Sequence, residues 1–370
     1  MLFQIYGDTS LWQLFGWVCV FAGLVLLNEF ERRTKFGGVL CFIVVPIILT
    51  IWFIVLAVAA GQGAEWALNN QTYLYQNGWF HYAKLYAADI GCVGFMMIKY
   101  KWWIGKKEWF RAWPFVIVAI NILIAVASDF ESAFKGMTYG QDGWWFSSEG
   151  VWLYGGWWNI VNGIAGLINI FCMTGWWRVY SSKDKNRQDM IWPDMTWCFI
   201  IAYDIWNFTY TYLNLPTHTW YCGVALLLAP TFAAAFWNKG GWIQNRANTL
   251  ATWCMFAQLF PLFQVKWKTA VVPVLYKGIQ EAGLTAFDLT QIDNYADFQA
   301  TGIVADPRAQ GVLAIAALVA NVLCITAIIV RAKKLGVNPY KEEVFIDQKD
   351  SIEAYERADQ ADVAAAKAAR

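Results

Sequence analysis

Residues 203–220 read YDIWNFTYTYLNLPTHTW, and an aspartate, Asp204, stands inside a run otherwise suited to lipid. A carboxylate at the centre of a membrane helix costs roughly 2.5–3.5 kcal/mol on insertion scales. Such a group is normally turned inward, paired, or set against a wet cavity. Asp204 has company: Asp89, Asn121, Asn162, Gln258 and Asn321 fall near the centres of other apolar segments. A polar layer of this kind can bind a cation or proton through Asp204 and Asp89. Asn159, Asn162 and Asn207 can hydrogen-bond a solute, with Asn121 and Asn321 on neighbouring segments completing the set. Tyr203, Trp206 and Tyr210 supply aromatic walls, which suit flat or cationic molecules through stacking or cation–π contact.

The spacing turns these side chains to one side. Gly155, Asn159, Asn162, Gly166 and Asn169 recur at steps of four and three, one face of a helix. Trp197, Ile201, Asp204, Asn207, Thr211 and Asn214 repeat that stepping. Asn and Gly stripes also serve as adhesive between membrane helices, so a structural role for the Asn162 stripe stands beside the binding role. His81 and His218 fall at the outer ends of their segments. As a pair they are weak candidates for a metal or haem site, with interfacial hydrogen bonding as the alternative. The eight Cys include no C-x-x-C pair and lie in apolar runs, where they act as small buried hydrophobes. The chain contains no G-x-S-x-G, H-E-x-x-H, phosphate loop or C-x-x-C-H, so no cofactor can be named. Lys84, the one lysine within a span, lies near an outer end, which argues against a retinal pigment.

The elements that must hold these residues are membrane helices. Of 370 residues, 58% are hydrophobic and 15% charged, against about 25% charged in soluble domains. The 24 Trp suit membrane–water boundaries. Windows of about 20 apolar residues predict nine spans: 10–28, 39–60, 79–98, 113–129, 151–173, 192–214, 219–237, 248–264 and 309–330. Lys and Arg gather in the odd-numbered connections: Arg32, Arg33 and Lys35; Lys99 to Arg111; Arg178 to Arg187; Lys239 and Arg246; and Arg331 to Lys334. By the positive-inside rule the N-terminus is outside and the C-terminus cytoplasmic. The fold class predicted is therefore an all-α polytopic transmembrane bundle over 1–334. A long outer loop, 265–308, is read as a lid or a solvated connector. A charged Ala-rich tail, 335–370, is helical from about Ser351.

The stretch YDIWNFTYTYLNLPTHTWYCGVALLLAPT, with the paired-Trp basic loops, resembles an uncharacterised family of bacterial multi-pass membrane proteins. The resemblance implies a membrane location and supports the span count; it implies no activity or site residue. The first reading of function is an inner-membrane transporter of a small solute, aromatic, nucleoside-like or amine, coupled to protons or cations through the mid-membrane Asp residues. The alternatives are an embedded enzyme or cofactor carrier acting on a lipidic substrate, and a ligand sensor. The expected partners are the lipid bilayer and a small-molecule solute, with a homo-oligomer left open. A net charge of +1 gives no field to attract nucleic acid.

Overall fold

The computed structural model describes residues 2–5, 7–148 and 150–368. All nine predicted segments fall on helices: α1 Ser10–Arg33, α2 Lys35–Gly61, α3 Trp79–Tyr100, α4 Trp113–Phe134, α5 Trp157–Phe171, α6 Trp197–Asn214, α7 Trp220–Phe236, α8 Trp242–Leu259 and α9 Arg308–Leu335. The tail adds α10 Lys349–Arg357 and α11 Gln360–Ala368. The fold is all-α apart from short two-stranded ribbons, and helix ends follow local chemistry. Pro114 opens α4, where its missing N–H costs nothing. Gly336 closes α9 in the left-handed region, with φ of 67°, as a C-terminal cap.

Four helices are long and apolar enough to cross a membrane: Gly7–Arg33, Lys35–Gly61, Glu108–Tyr139 and Arg308–Leu335. How they bury their side chains makes the same point. On α9 the inward residues include Gly311, Ala314, Ala317 and Asn321, while Val312, Leu323 and Val330 are at least 60% exposed. On α2, Leu49, Phe53 and Leu56 face inward, yet Ile47, Ile48, Ile51 and Ile54 all point out. A large branched side chain left in water forfeits roughly 1.5–3 kcal/mol, so small-inside, large-outside helices belong in lipid.

The nine helices form two groups. In the first, α5 lies against α4, α6 and α9. In the second, α8 lies against α1, α3 and α7, and α2 packs on α3 through Leu49, Phe53 and Leu85. At one end, β1 Trp144–Phe146 and β2 Trp152–Tyr154 pair antiparallel and join residues 262–303 in a separate apolar core. The segment 265–308 is thus a folded cap. The chain start is tied to it, with Gln4 N–H donating to the Val272 carbonyl at 2.9 Å.

The opposite end gathers the cationic connections and the tail. Phe345 and Val344 enter the main core, while Ala354, Ala358 and Val363 cover Tyr180 and Ile191.

Candidate functional site

Between the two helix groups lies a cavity of about 150 Å³, walled by α3, α4, α6, α7 and α8. A smaller one of about 40 Å³ adjoins it, sharing Asn121, Tyr203, Arg246 and Leu250 as walls. Four of the predicted positions, Asn121, Tyr203, Asn207 and Tyr210, line the larger cavity, and Tyr203 also faces Arg246 with the guanidinium carbon 5.9 Å from its ring centre. Trp206, expected as a further aromatic wall, does not line the cavity: it stands behind this wall, fully buried against Gly166 of α5. His81 and His218 both reach the cavity, joined by Lys84. Among the described residues no group of three or more His, Cys, Asp or Glu is arranged to hold a metal ion.

The aspartates stand apart from this lining. Asp204 turns toward α7, where its Oδ2 accepts from the Thr231 hydroxyl at 2.7 Å while its buried Oδ1 has no partner. Trp242 Nε1 donates to the same Thr231 at 2.9 Å. Asp89 is buried on α3, with Oδ1 also unpartnered. The α6 stripe wraps around its helix: Ile201 is 51% exposed, whereas Thr211 lines the cavity.

The α5 stripe is buried along its whole length, and its amides hold helices together. Asn162 Nδ2 donates to Asp129 Oδ2 at 2.7 Å, and Asn214 Nδ2 of α6 donates to Asp129 Oδ1 at 2.6 Å. Ser132 donates to Asn214 Oδ1 at 2.5 Å. Lower on the stripe, Asn169 donates to Asn321 Oδ1 at 2.7 Å, and Asn321 reaches the Ala202 carbonyl at 3.1 Å. Asn159 Oδ1 accepts from the Gly156 N–H at 3.2 Å at the helix start. Gly166 sets the separation: a Cβ there would lie 2.6 Å from both Trp206 Nε1 and Val126 Cγ2.

Two residues missed by spacing matter most. Asp129, outside the central layer on α4, is fully buried and anchors three helices. Arg246, grouped by the sequence with a cationic connection, lies in the second turn of α8 and is 7% exposed. Its Nη2 donates to Asn207 Oδ1 at 3.3 Å, while Nε and Nη1 are buried without partners. The one available signal was the helical register of Arg246, Leu250, Trp253 and Ala257, at steps of four, three and four.

Below the cavity, buried acids clamp the other end. Asp189 accepts from Arg32 Nη1 at 3.0 Å, from Arg357 of the tail and from Asn238 Nδ2 at 3.4 Å. Asp194, ahead of α6, accepts from Thr174 and from the N–H groups of Val344 and Phe345 at 3.0 and 2.8 Å. Burial pushes its carboxyl up to about 6, against the opposing pull of those donors. Burial acts likewise on Asp362, but hydrogen bonds from Lys101 and Ser181 outweigh it and hold that carboxyl below its usual range.

Across these elements the sequence matches one family model over residues 7–357. The chain belongs to DUF5692, a family of unknown function. No curated protein and no solved structure matches it.

Proposed function

We propose that the protein is a transporter of a small solute, spanning the cell's inner membrane nine times with its N-terminus outside and its C-terminus cytoplasmic. The observation that carries this reading is the cavity between the two helix groups, whose walls come from both. A site at such a boundary changes its access when one group rocks against the other. The gathering of cationic side chains at one end of the bundle supports the topology. Arg32, Lys99, Arg178 and Arg357 meet at the tail end, and the folded cap holds the other. The Asp189 clamp joins α1, the α7–α8 connection and the tail, so it is the natural inner barrier.

Tyr203, Tyr210 and Trp253 give the solute aromatic walls, and Asn121 and Asn207 give it hydrogen-bonding partners. Asp204, one helical turn from Asn207, is the coupling residue in this reading, its Oδ1 the place for a proton or cation. The test is solute-dependent flux into reconstituted proteoliposomes, read as current on a solid-supported membrane and as uptake of labelled solute. Coupled transport predicts a pH-dependent current that disappears in Asp204→Asn. Folded protein that gives neither current nor uptake with any solute pool would refute the transporter.

A further inference from the structure

The cavity's lining is one-sided in charge. Its basic side chains are His81, Lys84, His218 and Arg246, and among the described residues lining it there is no Asp or Glu. Arg246 is more than nine-tenths buried, and within the described structure no ion pair engages it. Asn207 takes one hydrogen of Nη2, leaving buried, unpartnered N–H donors on Nε and Nη1. Asp204 interacts with Arg246 electrostatically but forms no ion pair with it, and burying a guanidinium so incompletely neutralised is unfavourable. Structures keep such a group where a negative charge arrives from outside, and its hydrogen bonds to an anion are strong ones.

A second observation, independent of the charge, also points to a ligand. Gln258, twelve residues along α8, is 2% exposed, and both its amide oxygen and nitrogen lack partners. At about 1.5 Å per residue the two positions are roughly 18 Å apart along the helix. Leu250, Trp253 and Ala257 lie between them on the same cavity wall. The wall therefore reads as a cationic seat, an apolar stretch and an amide. A cavity of about 150 Å³ is the size known to admit a single benzene ring.

We infer that this cavity binds a small organic anion, a carboxylate on a ring-sized apolar body, with the carboxylate on Arg246. The inference rests on the proposed function, since it names the chemical class of that solute. It also narrows it: an amine would meet three cationic or basic side chain types and no acid here.

The probes are benzoate and its neutral isostere benzamide, titrated into the purified full-length protein with binding followed by calorimetry and thermal shift. Benzoate should bind and benzamide should bind much more weakly or not at all. Arg246→Gln should weaken benzoate by about 10- to 100-fold, the worth of hydrogen bonds to a charged group. Because Arg246→Gln also leaves Asn207 Oδ1 without its donor, Asn207→Asp provides a second variant. Its new carboxylate would sit where Arg246 already donates, so the protein should fold and benzoate binding should fall by a comparable factor. Equal binding of benzoate and benzamide, no benzoate binding, or undiminished binding in Asn207→Asp would overturn the assignment. Flux of some solute by a protein that fails this test would refute the anion site and leave transport standing. Benzoate binding in a protein that moves no solute would do the reverse.

Discussion

Asp129 and Arg246 are both ionisable side chains buried among the helices, and their surroundings differ in kind. Each carboxyl oxygen of Asp129 accepts an amide hydrogen, from Asn162 and Asn214, and Ser132 closes the circuit onto Asn214. Arg246 has one partner and two nitrogens with none. Buried polar groups are satisfied in the great majority of cases. A set of hydrogen bonds closed around the acid is a fastener, even though Asn162 Oδ1 is itself buried without a partner among the described residues. An open one is strained by its own desolvation until something fills the space. The comparison separates a polar residue that holds the bundle from one that awaits a partner, and the spacing of polar residues along the chain pointed to neither.

The sharpest way to break this contrast is Asp129→Ala. It removes the acceptor of Asn162 Nδ2 and one of the two acceptors of Asn214 Nδ2, at roughly 1–3 kcal/mol each, and leaves a small void. A loss of about 3–5 kcal/mol should appear as a marked fall in Tm of the detergent-purified protein. Folded protein at low temperature should keep its benzoate affinity; a stable variant that loses only binding would make Asp129 part of the site.

A satisfied acid at the inner end tests the cost of ionisation itself. Asp194 has a folded-state carboxyl raised to about 6 from 3.8. Its contribution to stability is therefore complete below pH 4 and is lost as pH rises through 6. The change is on the order of 3 kcal/mol at 1.36 per tenfold. The Tm of the native protein minus that of Asp194→Asn should decline over this window and level off above it. A difference that rises with pH would show that the donors from Thr174, Val344 and Phe345 outweigh burial.

Gly166→Ala probes the fastening stripe by shape alone. A Cβ at 2.6 Å from Trp206 and Val126 forces α5 away from its neighbours, for about 1–3 kcal/mol. The smallest change in stability is expected for Arg246→Gln, within about 1 kcal/mol of the native protein, because a buried charge without a partner is removed. Its thermal unfolding should match or exceed the native protein's even as benzoate binding is lost. A collapse comparable to that of Asp129→Ala would erase the distinction between the two centres.

Much of the architecture was legible. Each of the nine apolar windows falls on a helix, and four of those helices are long and apolar enough to cross a membrane. The Asn162 stripe was rightly read as one buried face, since a helical period admits no other arrangement. The start of α8 was not legible. The window 248–264 passed over residues 242–247, since Gln244, Asn245 and Arg246 look like a water-facing connection. The helix is enclosed by protein, so these side chains meet amides rather than lipid; Asn245 accepts from Asn28 at 3.2 Å and from Asn238 at 2.9 Å. The segment 265–308 likewise looked like a lid or a solvated connector, because its core is completed by Trp144 and Trp152, more than a hundred residues earlier.

Composition and periodicity alone determined that this is an all-α chain with apolar helices, that the Asn162 stripe of α5 turns inward, and that polar residues recur along the helices. Those properties are local, set by the energy of each side chain against lipid and by the pitch of a helix. Which polar groups close on one another and which stay open was decided only in three dimensions. Asn162 and Asn207 are the same amide, each set on an inward helical face. Asn162 donates to Asp129 through Nδ2 and keeps an unpartnered Oδ1 among the described residues, while Asn207 accepts from Arg246 at the edge of a cavity. That difference depends on neighbours far away in the chain, and no local pattern encodes it.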